Sequence, residues 1–512
     1  MAITIKAFEI ALHELDGAAR VFCVEQNFTI TPALQALADK YFPNLPALIE
    51  KQKFTGKAGS TLTAESSVDG LSDVILLGLG KKKDGKLDIE ACRRALGALI
   101  RIVQGKKIKT VALQLPSAEN FGVDAAFFAE QVSSIISMAT YQFDTYLTEE
   151  SRILEKDITV NLSVKEDNLD AMQKGLARGL VIAESVNMAR QWVDLPPNAL
   201  TPADLADEAE HIAKKHNFEY EIFDHAKVKS LGMGGLIAVS QGSKQECRFV
   251  IIKHTVSESA PTLGFVGKGI TFDSGGLSLK PPQSMETMKE DMSGAAAVIA
   301  TMNALGEYKP NVNIVMVAPM AENLPSGEAT KPGDIIRFYN GKTAEVKNTD
   351  AEGRLILADA LSYITKNYKI DAIYDLATLT GACAYALGPF FSGLFSEHED
   401  LVVRTKDAGN RSGDAVWRLP LTDDYKPAIK SEVADLCNIG KKSVMAGGTT
   451  AAAFLQNFVG DTPWVHLDIA GTAFNVPGVP YFRPETATGV GVRILVELAS
   501  NWEQKDKALT KK

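Results

Sequence analysis

Two carboxylates and a guanidinium stand at alternate positions in one short segment of the chain. They are Asp350, Glu352 and Arg354, in the run Asn-Thr-Asp-Ala-Glu-Gly-Arg-Leu that begins at residue 348. In an extended backbone, side chains two and four residues apart lie on one face, so these three groups would point the same way. Two acids that converge with an arginine predict a metal site with an anion-stabilising group beside it.

A purely structural alternative exists for the same segment. Thr349 and Glu352 have the spacing of a capping box, which would open the helix expected from Leu355 to Asn367. Gly353 counts against a cap alone, because a glycine in the first turn weakens a helix and favours the close approach of a ligand or another backbone. The segment by itself leaves both interpretations open.

A second set of charged residues follows an apolar strand in the same half of the chain. The strand leads into a glycine-rich run that contains Lys268 and Asp273. Lys280 follows this run, and Asp291 precedes an alanine-rich helical stretch. Lys268 could be an ordinary lysine at a strand edge, and Asp291 could be a helix N-cap. These structural roles do not explain why so many charged residues fall in glycine-rich turns of one half of the chain.

Together these segments resemble the signature regions of the di-metal leucyl aminopeptidase (cytosol aminopeptidase) family. The octapeptide 348–355 matches the hallmark sequence of that family without a substitution. The other matching segments are 266–276, 291–296, 375–382 and 466–471. The distinctive motifs cover residues 180 to 495, whereas residues 1 to 165 match only in general character.

The resemblance implies a site for two divalent metal ions held by five residues. Asp273 and Glu352 would bridge the two ions. Asp350 would complete the exchangeable site, and Lys268 with Asp291 would complete the tighter one. Carboxylate oxygens with a single nitrogen and no thiolate suit Mn or Zn, with Mg or Co as alternatives. A lysine binds a metal only as the neutral amine, so a neighbouring dication would have to lower its pKa.

The same resemblance implies hydrolysis of the N-terminal residue of peptides, preferably leucine or another apolar residue. Two adjacent ions would activate a bridging hydroxide and polarise the scissile carbonyl, while one of them binds the free α-amino group. Lys280 would stabilise the developing oxyanion. Arg354 would hold a bicarbonate ion that shuttles the proton, because a guanidinium stays protonated and cannot itself act as a base.

A pocket for the first side chain and an assembly of six chains are also implied by the resemblance. The residues implied in substrate binding are Met288, Thr378, Leu379, Gly381 and Ala470, with the Leu379 carbonyl near the α-amino group. A structural role at the start of a helix that follows a strand stays open for Thr378 and Gly381. The expected assembly is a homohexamer built as a dimer of trimers.

Two other functions stay open at the level of the sequence. A di-metal phosphoesterase would use a similar pair of ions, although such sites usually recruit several histidines rather than a lysine. Some members of the family bind DNA in regulatory or recombination roles, and lysines are concentrated in the N-terminal half at 81–83, 86, 106, 107 and 109. These lysines could equally form a solvated face, and the net charge of -9 does not favour a wholly nucleic-acid-binding surface.

Other hydrolase and nucleotide-binding motifs are missing from the sequence. There is no Gly-x-Ser-x-Gly elbow, no His-Glu-x-x-His pair and no phosphate-binding loop of the Gly-x4-Gly-Lys-Ser/Thr type. His466, in an apolar strand, is expected to be a buried, hydrogen-bonded residue. The motifs therefore leave the di-metal site as the main candidate for chemistry.

The composition is that of an ordinary globular protein. The 512 residues are 46% hydrophobic and 23% charged, which is enough for a large core divided between two domains. Five dispersed cysteines suggest reduced thiols rather than a disulfide framework. The first residues predict a strand and not a signal peptide, and no apolar run has spanning length, so we expect a cytoplasmic protein without a membrane segment.

Strand-like and helix-like segments alternate along the chain, which predicts an α/β fold. In the first half we expect helices near 88–104 and 124–141, and strands near 2–11, 20–26, 73–79, 109–114 and 158–164. In the second half we expect buried strands near 247–254, 262–270, 313–319, 371–376 and 464–470. The Asn340-Gly341 pair predicts a hairpin that leads into the octapeptide.

These elements predict two domains joined by a long helix. We expect a smaller N-terminal α/β domain at 1–165, a connecting helix within 166–197, and a larger catalytic domain at 198–512 with α/β/α layers around a mixed central sheet. The connecting helix is expected from Asn168 to Leu195, before two prolines. Ligands of such sheets bind at the carboxyl ends of strands, where Lys268, Asp273 and the loop 376–381 are expected.

Overall fold

The computed structural model describes residues 3–65, 73–164 and 169–502, and the fold given below concerns these residues. The chain divides into two compact units. The N-terminal unit comprises Met1–Glu184 and Pro477–Pro484, and the C-terminal unit comprises Ser185–Val476 and Glu485–Lys512. A smaller α/β unit and a larger unit with a mixed sheet are therefore confirmed, as expected from the sequence.

Six strands form the sheet of the N-terminal unit, in the spatial order β1, β6, β5, β2, β4, β3. The strands are β1 (Thr4–Phe8), β2 (Ala19–Val24), β3 (Thr61–Ala64), β4 (Asp73–Gly78), β5 (Thr110–Gln114) and β6 (Thr159–Ser163). The helices are α1 (Pro32–Tyr41), α2 (Leu45–Lys51), α3 (Ile89–Gly105) and α4 (Ala125–Thr140). All neighbouring strands are parallel except β3, which runs antiparallel to β4 at one edge.

The strands and helices expected in the first half of the sequence are confirmed, and the described residues add one strand and two α-helices. Strand β3 and helices α1 and α2 were not predicted, because each is short and carries little periodic apolar signal. Helix α1 does have a local start signal, since Thr31 caps it through Leu34 N and Pro32 occupies its first position. The Thr31-Pro32 pair therefore marks the start of α1 in the sequence, which the apolar periodicity did not indicate.

The long helix α5 (Leu169–Asp194) has 26 residues and continues from the N-terminal unit into the C-terminal unit. Its bounds lie within the helix expected from Asn168 to Leu195, although Asn168 itself lies outside the described residues. The division between the two units lies inside this helix, after Glu184. The domain limits drawn from the sequence stay a prediction.

The C-terminal unit contains ten further helices and twelve strands among the described residues. The helices are α6 (Pro202–His216), α7 (His225–Ser230), α8 (Gly234–Ser240), α9 (Pro282–Met285), α10 (Ser293–Tyr308), α11 (Gly353–Asn367), α12 (Gly381–Leu387), α13 (Glu399–Ser412), α14 (Gly447–Leu455) and α15 (Val492–Ser500). The strands are β7 (Glu219–Phe223), β8 (Arg248–His254), β9 (Thr262–Gly267), β10 (Gly269–Asp273), β11 (Asn313–Asn323), β12 (Ile335–Arg337), β13 (Thr343–Glu345), β14 (Ala372–Ala377), β15 (Ser392–Phe395), β16 (Val416–Arg418), β17 (Leu436–Cys437) and β18 (Trp464–Asp468).

The main sheet of the C-terminal unit is mixed and lies between two groups of helices. Its order is β16, β15, β18, β14, β9, β11, β8, β7, and β10 pairs with the second half of β11. Helices α10 and α6 pack on strands of this sheet, with α15 against α10, and helices α11 and α8 also pack on its strands, with α14 against α11. Since helices cover both faces, all 11 residues of β11 are buried.

Four adjacent strands of this sheet, β18, β14, β9 and β11, run parallel. Their carboxyl ends therefore meet at one edge of the sheet, which we call the carboxyl edge. The residues that end or directly follow these strands are Asp468, Thr378, Lys268 and Asn323. Parallel pairing of β10 with β11 adds Asp273, which lies opposite Asn323 in the register. The strand ends named in the sequence analysis are thus brought together.

The hairpin predicted at Asn340-Gly341 is confirmed. Strands β12 and β13 pair in antiparallel fashion, and Gly341 has a φ of 92°, a conformation that a side chain would oppose. Strand β13 also pairs with β17 in a separate three-stranded sheet. This small sheet delivers the chain to the octapeptide that begins at Asn348.

Two further findings concern the chain as a whole. All five cysteines are buried and free. Within the described ranges, no helix combines the length and the apolar character needed to cross a lipid bilayer.

Candidate metal centre

Six charged side chains meet at the carboxyl edge, and we call them the charged cluster. They are Lys268, Asp273, Lys280, Asp291, Asp350 and Glu352. Three separate segments supply them: β9 to β10 with the loop that follows, the 3-10 helix Met288–Met292, and the turn before α11. Sequence analysis predicted all six as site residues, and the fold brings all six together.

Lys268 stands between β9 and β10 and connects the first segment to the other two. Its Nζ donates to Asp291 Oδ1 at 2.7 Å and to the carbonyl of Thr378 at 2.8 Å, and it lies 3.0 Å from Glu352 Oε1. Thr378 also donates its hydroxyl to Asp291 Oδ1 at 2.8 Å. Thr378, expected in the substrate pocket or at the start of a helix, therefore contacts two of the predicted metal ligands.

Lys280 makes the corresponding connection on the more open side of the charged cluster. Its Nζ lies 2.9 Å from Asp273 Oδ2 and 2.7 Å from Asp350 Oδ1. The Asp350 side chain is 31% exposed, whereas the other carboxylates of the cluster are 5% exposed or less. Solvent therefore reaches the cluster from the side of Asp350 and Lys280.

The conformation expected for the octapeptide is wrong in two respects. Residues Thr349 and Asp350 form a turn, and helix α11 begins at Gly353, so the segment is not an extended strand with three side chains on one face. The capping box is not formed either, because Glu352 is the N-cap without a side-chain hydrogen bond. Instead, the Thr349 hydroxyl donates to the carbonyl of Gly275 and ties the octapeptide to the first segment.

The expected reason for Gly353 is refined by the structure. A Cβ at this position would lie 2.5 Å from Lys268 Cε and 2.8 Å from Lys268 Nζ. The group that approaches closely is therefore the side chain of a predicted metal ligand, rather than a second backbone. Glycine at the first helical position leaves room for the lysine beside Glu352.

Both lysines of the charged cluster are held as cations by the protein groups around them. Burial acts to lower the pKa of Lys268, but the carboxylates of Asp291 and Glu352 outweigh it and raise the pKa above the ordinary value. The pKa of Lys280 is raised in the same way, since Asp273 and Glu352 outweigh its burial. A metal-binding lysine must be neutral, so a dication would have to displace the proton of Lys268.

The acids of the cluster outnumber the lysines, and this affects their ionisation. Burial raises the pKa of Asp291 well above its ordinary value, and burial together with the charge of Glu352 raises the pKa of Asp273. For Glu352, burial is outweighed by the two lysines, which lower its pKa. The cluster is thus short of positive charge, and bound cations would relieve the repulsion between its carboxylates.

The donor set fits hard divalent ions. One oxygen from each of Asp273, Asp350 and Glu352 lies within 4.8 Å of the others. Asp291 lies outside this group of three and is joined to it through Lys268. Asp291 Oδ2 and Glu352 Oε2 are buried and have no hydrogen-bond partner among the described residues. Carboxylate oxygens without thiolate or histidine favour Mn, Zn, Mg or Co.

Arg354 lies behind the charged cluster in the first turn of α11. Its Nη1 donates to the carbonyl of Asn438 at 2.8 Å, and its buried Nε has no hydrogen-bond partner among the described residues. Burial lowers the pKa of Arg354, and the nearby carboxylate of Glu352 opposes this. A buried guanidinium with a free donor is a site that could bind an anion.

Two of the five predicted substrate residues, Leu379 and Ala470, are connected by one buried carboxylate that the sequence analysis did not predict. Asp468 accepts from the backbone N–H of Leu379, Thr380 and Ala470 at 3.2 to 3.4 Å, and from the Thr380 hydroxyl at 2.7 Å. It is 1% exposed and ends β18. These bonds fix the loop that continues from Thr378 as well as the loop of Ala470.

The remaining two predicted substrate residues lie at the starts of short helices. Met288 begins the 3-10 helix that carries Asp291, and Gly381 begins α12, whose N-cap is Thr380. Gly381 is exposed, and a Cβ there would meet only Tyr385 within 4 Å. The position of Gly381 is compatible with the substrate role and with the structural role at a helix start, and the pocket stays a prediction.

Asn323 is the second residue that the sequence analysis missed. It ends β11, is 5% exposed, and donates its side-chain amide to Asp273 Oδ1 and to the carbonyl of Thr349. A usable signal existed, because Asn323 is a polar residue at the end of a long apolar strand, as Lys268 is after β9. The role of such a residue depends on its partners, which the sequence does not specify.

His466 is a buried core residue, as expected. It is fully buried on β18, and its Nδ1 lies 2.7 Å from Asp375 Oδ1, while Trp464 donates to the other oxygen of Asp375. Burial acts to lower the pKa of His466, but the Asp375 carboxylate outweighs it and raises the pKa. The group of metal-binding type found among the described residues contains no histidine, which is contrary to the usual phosphoesterase site.

Three of the seven lysines of the N-terminal unit that suggested DNA binding pair with acids. Lys82 lies 2.6 Å from Glu25, and Lys106 contacts Glu65 and Asp73. Lys109 lies 3.6 Å from Glu155. These contacts favour a solvated face with mixed charge, as the alternative interpretation of the sequence proposed.

Two protein-family models match the chain. The model described as the cytosol aminopeptidase family, catalytic domain, matches residues 187–496. The model described as the N-terminal domain of the same family matches residues 21–150. Neither description mentions DNA, so the DNA-binding alternative gains no support from them.

Curated relatives extend over nearly the whole chain. A protein named probable cytosol aminopeptidase from Desulforapulum autotrophicum is 40% identical over 511 residues, which cover 97% of each chain. A protein of the same name from Chlorobaculum tepidum is 42% identical over 467 residues, which cover 88% of this chain and 90% of the relative.

Solved structures show the same similarity in three dimensions. A lysine-to-glutamate variant of tomato leucine aminopeptidase is 30% identical, with a TM-score of 0.85 over 97% of this chain and 96% of that chain. The bottromycin maturation enzyme BotP in complex with Mn is 32% identical, with a TM-score of 0.82 over 95% of this chain and 99% of that chain.

Proposed function

Because the chain belongs to the cytosol aminopeptidase family, we propose that it removes the N-terminal residue of peptides, with a preference for leucine or another apolar residue. The family is one of metal-dependent hydrolases, and the chain is an enzyme of this class. The observation that carries the proposal is the charged cluster. It places four carboxylates and two lysines from three segments at the carboxyl edge, with two carboxylate oxygens unpartnered among the described residues.

We assign two divalent ions to this centre, with Mn or Zn as the first candidates. Lys268, Asp273, Asp291, Asp350 and Glu352 would hold them. The Mn complex of the structural neighbour BotP is compatible with Mn in a site of this kind. When bound, the two ions would supply a hydroxide near neutral pH and polarise the scissile carbonyl. The exposure of Asp350 supports its assignment to the exchangeable position.

The protein groups around the ions have separate tasks. Lys280 lies on the open side of the charged cluster as a cation, where it would stabilise the negative charge that develops on the carbonyl oxygen. Arg354 would hold bicarbonate through its unpartnered Nε, so that a proton acceptor lies near the cluster. The free α-amino group of the substrate would bind at the centre near the Leu379 carbonyl, which explains selection for the first residue of a peptide.

The first experiment tests both the metal requirement and the selection for a free amino terminus. Chelator-treated protein is assayed with leucine amide and with its N-acetylated form, before and after addition of Mn or Zn. We expect cleavage of the free-amine substrate only, and only after a metal is restored. Cleavage of the acetylated substrate at a similar rate would contradict binding of the α-amino group.

A pair of variants separates the charged cluster from general stability. Glu352→Gln removes one predicted bridging carboxylate and should abolish cleavage. Glu130→Gln is the matched control, because Glu130 is also a buried glutamate, paired with Arg178 at 2.8 Å in the N-terminal unit. The control should keep its activity even if its unfolding temperature falls. Full activity of Glu352→Gln would refute the proposed mechanism.

The location is proposed from the names of the relatives. The name cytosol aminopeptidase, carried by the relatives, supports a cytoplasmic location. The homohexamer stays a prediction, and the molar mass of the protein in solution, measured by light scattering, would test it.

A further inference from the structure

We propose that Asn323 is a positioning residue of the metal centre, whose side-chain amide clasps two of the ligand-bearing segments before any ion is bound. The inference rests on the proposed function, because it assigns metal binding to the charged cluster. Asn323 lies outside the motifs that resemble the family. Through it, the positions of the predicted metal ligands depend on strand β11. The clasp is formed by Asn323, Asp273 and Thr349.

The contacts of the clasp are short and buried. Asn323 Nδ2 lies 2.8 Å from Asp273 Oδ1 and 3.0 Å from the carbonyl oxygen of Thr349. Both partners are acceptors only, so the NH₂ group must face them and the orientation of the amide is fixed by chemistry. The backbone carbonyl of Asn323 also accepts from the N–H and the hydroxyl of Ser274. One residue thus holds the end of β10, the loop after it and the octapeptide.

The first consequence concerns which oxygen Asp273 presents. Oδ1 of Asp273 accepts from Asn323 Nδ2 and from Gly275 N, each at 2.8 Å. Two donors in the same region leave Oδ2, which lies 2.9 Å from Lys280 Nζ, as the oxygen that faces the charged cluster. Without the amide, the carboxylate could rotate, since a single backbone N–H would be its remaining donor on that side.

The second consequence concerns Asp350. The carbonyl held by Asn323 belongs to Thr349, the residue directly before Asp350. The Thr349 hydroxyl donates to the Gly275 carbonyl at 2.6 Å, which is a second hydrogen bond between the octapeptide and the loop after β10. The turn that carries Asp350 is therefore fixed against the end of β10. Partners of this kind, which orient metal ligands without touching the metal, typically change metal affinity about 10- to 100-fold when removed.

A structural role for the amide alone would give a different result, and β11 supplies a matched control. Asn313 is the first residue of the same strand and is also buried. It accepts from Val256 N at 2.7 Å and donates to the carbonyl of Ser257 at 2.8 Å. The two asparagines lie about 33 Å apart along an extended strand, so Asn313 has no contact with the centre.

The test measures the binding of Mn²⁺ by titration calorimetry, beside thermal unfolding of the metal-free protein. Asn323→Leu and the milder Asn323→Ser should weaken Mn²⁺ binding about 10- to 100-fold. Asn313→Leu should lower the unfolding temperature and leave Mn²⁺ affinity within about two-fold, because it removes bonds of the same kind far from the centre. If Asn323→Leu does not fold, Asn323→Ser carries the comparison.

The outcomes distinguish this inference from the proposed function. Equal Mn²⁺ affinity in the unaltered protein and in a folded Asn323 variant would overturn the inference and leave the metal centre intact. Equal weakening by the Asn313 and Asn323 variants would also overturn it, because affinity would then follow general stability. Absence of Mn²⁺ and Zn²⁺ binding in the unaltered protein would instead contradict the proposed function.

Discussion

Replacement of Gly353 by alanine is the perturbation whose effect the structure defines most closely. Alanine is the better helix former, and at an unobstructed helical position the change would stabilise the protein by up to about 1 kcal/mol. At Gly353, however, the added Cβ would lie 2.5 Å from Lys268 Cε, whereas ordinary contacts begin at 3.4 Å. The lysine must therefore move by roughly 1 Å.

Lys268 cannot make this movement without losing contacts. Its side chain is 3% exposed, and its Nζ is held at 2.7 Å from Asp291 Oδ1 and 2.8 Å from the Thr378 carbonyl. Loss of one hydrogen bond to a charged group costs about 1.5 to 3 kcal/mol. After a gain in helix propensity of about 1 kcal/mol is subtracted, we expect the free energy of unfolding of the metal-free protein to fall by about 0.5 to 2 kcal/mol.

The assay compares Gly353→Ala with Gly105→Ala in chemical denaturation and in Mn²⁺ titration. Gly105 ends α3, is exposed, and has no atom within 4 Å of an added Cβ, so its variant reports the generic effect of the substitution. We expect Gly353→Ala to bind one Mn²⁺ fewer than the unaltered protein, because Lys268 is displaced. A Gly353→Ala protein as stable as the Gly105→Ala protein, with its full number of ions, would refute the reasoning.

Three further results are expected. Removal of metal by a chelator should leave the protein folded, since the lysines of the charged cluster pair with its acids. Mn²⁺ at 100 times its dissociation constant should then raise the free energy of unfolding by about 2.7 kcal/mol. An unfolding transition that does not depend on Mn²⁺ concentration would contradict this expectation. Asp468→Ala removes the acceptor of three backbone N–H groups and should raise the KM for leucine amide several-fold without changing Mn²⁺ affinity. Asp468→Asn, which retains one oxygen, should raise the KM less. Equal KM values in the unaltered protein and in Asp468→Ala would exclude a role of Asp468 in the pocket. The thiols should resist a disulfide reagent at pH 8 in the native protein and react fully after unfolding. The reason is that all five are buried, and burial raises the pKa of Cys247 to about 11 and that of Cys92 to about 12. Rapid labelling of the native protein would contradict this expectation.

The larger elements of the fold were predictable because they carry strong local signals. Strands such as β9 and β11 are largely apolar, as is typical of strands covered by helices on both faces. The hairpin of Asn340-Gly341 rests on a turn that requires a positive φ. The short elements β3 and α2 have neither signal, and the packing around them decides their conformation, whereas α1 has only the local start signal of Thr31 and Pro32.

The octapeptide shows where local reasoning fails. Alternation of Asp350, Glu352 and Arg354 predicted an extended segment, and the Thr349 to Glu352 spacing predicted a capping box, but neither is formed. Thr349 bonds to Gly275, which lies 74 residues earlier in the chain. Such a contact is invisible to any rule based on neighbours in the sequence.

The sequence by itself determined the chemistry of the protein. The types and order of its charged residues named the members of the charged cluster, and their motifs identified the family, because both depend only on which side chains are present. Tertiary structure alone decided how these residues are paired: Lys268 with Asp291 and Glu352, Lys280 with Asp273 and Asp350. It also introduced Asn323 and Asp468, since a buried polar side chain acquires a role only from the partners that distant strands bring within hydrogen-bond distance.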